Sequence, residues 1–176
     1  DADGLSLSDE LALYGTCPDL SDTDGDGVAD GDEVRRGSNP LDAGDLVLGV
    51  EDLRAGDLRI TEVLVDALGC EEPGGELVEV AYAGVHPLDL DTLGLETVGA
   101  TGGVDGRTLV LPGARILLAR DAVAFQACYG LTPTAEGLPE LADVGDRVRL
   151  TVGGVVLDEV DLRTWAITSG TSWQRD

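Results

Sequence analysis

The chain runs to 176 residues and is 43% apolar, enough for one ordinary domain with a buried core plus a small appendage. Its formal charge is −24, and all 11 basic residues are arginine. That balance excludes nucleic acid as a partner, because phosphate backbones are held by clustered Lys and Arg, and it leaves no basic stripe for an anionic membrane surface; cations are the natural counterpart.

The acidity is unevenly spread. Residues 1–45 hold 13 acids and 2 arginines, a local charge of −11, whereas residues 46–176 hold 22 acids and 9 arginines, or −13. Surface carboxylate that keeps a protein soluble accounts for much of the second figure, but not for regular spacing within the first segment. No apolar run approaches the roughly 18 residues that span a bilayer, so no membrane insertion is expected. No charged-then-apolar leader opens the chain, and its start at Asp1, without Met and part-way through a motif, is expected of a mature or excised piece of a longer protein.

The segment Asp22-Thr-Asp24-Gly-Asp26-Gly27-Val28-Ala-Asp30-Gly-Asp-Glu33 sets acids at positions 1, 3, 5, 9 and 12 of a twelve-residue loop, with glycine at position 6. This spacing folds successive carboxylates around one point, as a hard cation wanting about six to eight oxygens requires. The loop is EF-hand-like: Asp22, Asp24 and Asp26 supply side chains, Val28 its backbone carbonyl, Asp30 a water-mediated contact, and Glu33 two closing oxygens. Calcium is the expected ion; magnesium fits less well because it holds its waters. The alternative of a solvated acidic linker is the usual fate of charge runs, but so complete a match to the loop spacing argues against it.

A second copy lies upstream. Asp1-Ala-Asp3-Gly4-Leu5-Ser-Leu7-Ser-Asp9-Glu10 superimposes on residues 24–33 with a shift of 23, leaving Asp1, Asp3, the Leu5 carbonyl and Glu10 as ligands and placing Leu7 at position 9. After each loop comes a short helical stretch and a matching turn, Gly15-Thr-Cys17-Pro18 and Gly37-Ser-Asn39-Pro40. This tandem unit resembles the thrombospondin type 3 repeat in its bacterial form, in which aspartate loops join into a calcium-stiffened stalk. Cys17 stands in the slot of Asn39.

From about Arg54 the pattern changes to short Val-, Leu- and Ile-rich runs between glycine, proline or aspartate turns. The strands predicted are 58–65, 76–82, 93–98, 107–111, 114–119, 147–152 and 155–160, which favours a two-sheet sandwich. One helix is predicted over 121–129, capped by Asp121 and ended by Gly130. Gly99-Ala-Thr-Gly-Gly103 reads as a hairpin or loop, since no Gly-Lys-Ser/Thr follows it.

Several stretches here are similar to bacterial lamin-tail domains: Ile60-Thr-Glu-Val63, Glu76-Leu-Val-Glu79-Val, Pro87-Leu-Asp-Leu90, residues 111–120, Gly145-Asp-Arg-Val-Arg-Leu150, residues 154–160 and the closing Ser172-Trp-Gln-Arg175. The resemblance implies an immunoglobulin-like β-sandwich without catalysis, on exported proteins. The expected architecture is therefore mainly β, a lamin-tail type sandwich over 56–176 preceded by repeats over 1–45 and a linker over 46–55.

Cys17, Cys70 and Cys128 allow three single pairings and match no zinc pattern, with His86 isolated. In an exported protein Cys70 to Cys128 is the preferred bridge. No nucleophile, base or metal constellation suggests an enzyme. Glu62 and Glu79 on adjacent strands mimic a carboxylate pair, but in so acidic a segment a solvated face is the better reading. Trp165 and Trp173 are expected to anchor core. The function expected is a calcium-binding structural or adhesive module at the bacterial surface, meeting protein or glycan there; the alternative is a targeting or accessory domain of a larger secreted hydrolase.

Overall fold

A computed structural model describes residues 2–70, 73–142, 146–166, 168 and 170–175. Asp1, expected as a ligand, and Gly145, in one of the lamin-tail-like stretches, lie outside the described residues.

The two repeats share local geometry. In each, an Asp carboxylate accepts the N–H two residues on: Leu5 N–H donates to Asp3 Oδ1 at 2.9 Å, and Val28 N–H to Asp26 Oδ1 at 2.8 Å. The glycine between them has positive φ both times, Gly4 at 96° and Gly27 at 101°, a conformation open to glycine at no steric cost. A short helix follows in each case: α1, Leu7–Asp9, capped by the Ser6 hydroxyl, and α2, Asp30–Arg36. α2 carries Asp30, Asp32 and Glu33 in its first turn and Arg35 and Arg36 in its last, matching the helix dipole at both ends.

The shift between the copies falls from 23 at the loops to 22 at the turns, so the first repeat has one extra residue to absorb. It does so in a π-helical turn over Glu10–Tyr14: Gly15 N–H donates to Glu10 O, five residues back, where Gly37 N–H donates to Glu33 O, four back, both at 2.7 Å. Both glycines then close their helices in the left-handed region.

The remainder is mainly β. Its strands are β1 (Leu48–Gly49), β2 (Leu58–Leu64), β3 (Leu77–Tyr82), β4 (Leu88–Asp89), β5 (Gly94–Glu96), β6 (Thr101–Gly103), β7 (Leu109–Val110), β8 (Arg115–Ala119), β9 (Ala135–Glu136), β10 (Arg147–Val152), β11 (Val155–Asp161) and β12 (Trp173–Gln174). They form three sheets, ordered β1-β4-β7, β11-β10-β5-β6 and β12-β2-β3-β8-β9. Leu58, Ile60 and Val63 of β2, Val78 and Val80 of β3, Leu95 of β5, Ile116 and Leu118 of β8, and Val148 and Leu150 of β10 share one buried cluster, a packing consistent with a β-sandwich. Gly99–Gly103 is the β5–β6 hairpin.

The helix α3, Ala122–Tyr129, begins at an Asp121 cap, whose Oδ1 accepts Ala124 N–H at 2.8 Å, and ends at Gly130. A disulfide joins Cys128, on this helix, to Cys70; Cys17 is free. Trp165 and Trp173 are half-buried against the core cluster.

A bulge in β2 sets Thr61 and Glu62 together opposite Glu79. Ile60 N–H, beside the bulge, donates to Asp158 Oδ2 of β11 at 2.8 Å, and Arg175 grips the same oxygen at 2.8 Å, so two sheets are tied at this point.

The stretch 46–55, expected as a linker, packs inward: Leu46, Val47 and Val50 are buried, β1 pairs in parallel with β4, and a 3₁₀ turn runs over Val50–Asp52. The apolar Leu-Val-Leu-Gly-Val run cannot be left in water when a sheet edge is available beside it.

Candidate metal centre

The second loop is held open by its own backbone. Asp22 accepts Gly25 N–H at 2.8 Å through Oδ1 and Gly27 N–H at 3.0 Å through Oδ2; Asp24 Oδ1 accepts Asp26 N–H at 3.2 Å. These turns point one carboxylate after another at a common centre, and ligand oxygens of Asp22, Asp24 and Asp26 lie within 4.8 Å of one another.

Glu33 approaches from α2. It is 0% exposed, yet neither carboxylate oxygen has a hydrogen-bond partner, and Asp24 Oδ2 and Asp26 Oδ2 are likewise buried without one. Burial and then the charges of Asp26 and Asp24 push the Glu33 carboxyl up to about 7, against the pull of the nearby Ser38 hydroxyl, whose hydrogen bond goes to the Glu33 backbone carbonyl and not to the carboxylate. Burial also raises Asp24, together with the charges of Asp26, Asp22 and Asp30 and against the Asp26 N–H bond. Three acids with four buried oxygens free of hydrogen bonds, and with like charges bearing on one another, are unstable alone and suit a hard, oxygen-seeking divalent cation. Val28 is buried, and its N–H is the donor to Asp26 Oδ1.

Residues 22–43 match the family model of the bacterial TSP3 repeat. No curated protein is significantly similar to the chain. The TSP3 repeat is a calcium-binding repeat type, and the match covers the loop, α2 and the Gly37–Pro40 turn. It begins at Asp22, so the upstream copy lies outside the matched residues.

The second loop does not keep all its acids to itself. Asp30 is fully buried; its Oδ1 accepts Thr23 N–H at 2.8 Å and its Oδ2 the Thr23 hydroxyl at 2.7 Å. Its ligand oxygens group with those of Asp3 and Glu10, again within 4.8 Å of one another. The loop spacing puts Asp30 at a water-mediated position of its own loop and gives Thr23 no part; a hydroxyl at position 2 is the signal the sequence offers.

Arg36 was also missed. Wholly buried at the end of α2, it pairs with Glu51 at 2.6 Å and Asp52 at 2.8 Å and donates to Val47 O at 3.4 Å, anchoring the metal-loop helix to the β-rich part.

Glu62 and Glu79 face each other across β2 and β3. Glu79 Oε1 accepts from the Thr61 hydroxyl and from Arg115, both at 2.6 Å, on the wall of an open polar depression of about 380 Å³. An ion-paired carboxylate on an exposed surface fits the solvated face expected. Among the described residues no helix is long and apolar enough to cross a membrane.

Proposed function

We propose that the chain is a non-catalytic calcium-binding module of an exported bacterial surface protein, in which calcium stiffens the repeat region and so fixes how the β-rich part is presented. The observation that carries this reading is Glu33: a fully buried carboxylate with both oxygens free of hydrogen bonds, close enough to Asp26 and Asp24 to feel their charges. A bound calcium ion supplies the charge that offsets this repulsion. The residues do the rest: Asp22 shapes the turn, Asp24 and Asp26 offer oxygens, and Glu33 brings the helix to the loop.

Ordering α2 matters beyond the loop, because Arg36 binds Glu51 and Asp52 three residues after Glu33. The β-rich part is read as a lamin-tail type sandwich, with Glu76–Val80 and residues 111–120 falling largely on paired β3 and β8. An exported location accords with the Cys70–Cys128 bridge, which oxidising compartments favour.

Titrating calcium into the chain while following small-angle scattering and thermal stability tests the proposal. A more compact, more stable particle at millimolar calcium is expected; unchanged shape and stability from micromolar to millimolar would count decisively against it.

A further inference from the structure

At the slot where the second loop has Asp30, the first has Leu7, 62% exposed and without an oxygen to offer. The structure brings Asp30 itself to that first loop, with its oxygens beside those of Asp3 and Glu10. Glu10 is 3% exposed and its Oε1 has no hydrogen-bond partner. Among the described residues no arginine pairs with Glu10 or Asp30. Two buried carboxylates that no described arginine pairs with suit a bound cation or a proton.

The approach of the two loops is close enough to be specific. A Cβ on Gly31, next to Asp30, would stand 2.1 Å from the Asp3 carbonyl oxygen, so only glycine lets the first loop lie against the start of α2. Thr23 holds both Asp30 oxygens from one side and leaves each a further lone pair.

We propose that Asp30 belongs to a second divalent-cation site, completed across the two repeats by Asp3 and Glu10, and that it couples occupancy of the two sites. The inference rests on the calcium-binding reading above and adds to it a second ion and a shared residue. An ion held by Asp3, Glu10 and Asp30 fixes the start of α2, whose first turn also carries Glu33, and so sets Glu33 in place for the other ion. Binding at either site thereby favours binding at the other, and the coupling is reciprocal.

Calorimetric calcium titration of the whole chain separates the possibilities. Wild type is expected to take up two ions, with Glu10→Gln and Glu33→Gln each losing a different one. In the Glu33→Gln background, adding Asp30→Asn weakens the remaining ion by about tenfold or more; in the Glu10→Gln background it does not weaken it. Gly31→Ala, which alters no carboxylate, removes the Glu10-dependent ion and spares the other. Uptake of one ion, lost with Glu33→Gln and indifferent to Glu10→Gln and Gly31→Ala, overturns the shared site while leaving calcium binding intact. So does Asp30→Asn acting on the Glu33-dependent ion as strongly as on the other. No uptake at millimolar calcium sinks both readings.

Discussion

The Arg36 guanidinium lies 2.6 Å from Glu51 Oε1, with the arginine side chain wholly out of water and the glutamate half in it. Burial alone would raise the Glu51 carboxyl, but bonds from its own backbone and from Arg36, with the charges of Arg36 and Arg35, hold it below the usual range. Asp52 adds a second contact at 2.8 Å and also accepts Gly49 N–H at 2.8 Å, so the ion pair is part of the turn that follows β1. Arg36, with Arg35 3.2 Å from the same Glu51, thus joins the helix that closes the metal loop to the turn after the strand that enters the β-rich core.

Replacing Arg36 by alanine removes both contacts and leaves two acids facing a void. Since Glu51 and Asp52 keep partial access to water, the cost is set below that of a fully buried pair, at about 2–3 kcal/mol. Denaturant unfolding in saturating calcium should show that loss, and calcium affinity should fall as well because α2 frays. Arg36→Lys recovers only part, since a single ammonium cannot span both carboxylates. Unfolding at the wild-type midpoint would mean that the junction carries no stability.

Glu33→Gln should change sign with calcium. At about pH 8, where the carboxyl is ionised, and without the ion, the substitution removes a buried charge repelled by Asp26 and Asp24, so the melting temperature rises. With the ion at about a hundredfold over its Kd, wild type gains about 2.7 kcal/mol from binding and the variant does not. Calorimetric melts with calcium and with chelator read both arms; a variant less stable than wild type in chelator would refute the repulsion argument.

The loop was legible because each of its positions is fixed by local backbone: an acid two residues before a donor N–H makes the same turn wherever it occurs, and Gly27 marks where the chain must turn left-handed. The seven predicted strands fall on β2, β3, β5, β7, β8, β10 and β11 for the same reason, alternation carried over several residues, although β5 and β7 are trimmed to three and two residues. Strands β1, β4, β9 and β12 are two residues each and leave no period to read. The inward packing of 46–55, the partners of Arg36 and the grouping of Asp30 with Glu10 depend on contacts distant in sequence, which a loop template treats as absent. Even the π-helical turn was half visible, since the repeat shift changes from 23 to 22 between loop and turn.

The Cys70–Cys128 disulfide closes a span of 58 residues that includes β3 to β8 and fastens α3 beside Gly74 and Gly75, where Tyr129 donates to Gly75 O at 2.9 Å. Limiting the unfolded chain over that length is worth about 4 kcal/mol. Cys128→Ser should lower the denaturant midpoint accordingly while leaving calcium uptake unchanged, because the repeats lie outside the closed span. A calcium defect in this variant would show that the two parts are more tightly linked than Arg35 and Arg36 provide.

Proton and calcium compete at Glu33. Its carboxyl titrates near the ordinary 4.5 when unfolded and at about 7 in the folded, ion-free chain, so between those values the folded state binds the extra proton. The Glu33 contribution to ion-free stability is therefore greatest at acid pH and falls as pH rises through this window, flattening above about 7. Calcium must displace that proton, so apparent affinity climbs by about tenfold per pH unit up to about 7 and then levels. Titrations in buffers of different ionisation enthalpy should detect close to one proton released per Glu33-dependent ion at about pH 6 and almost none at about pH 8. An affinity that does not change between about pH 5 and 7 would show that Glu33 meets the ion already ionised, and that its burial is relieved by something other than calcium.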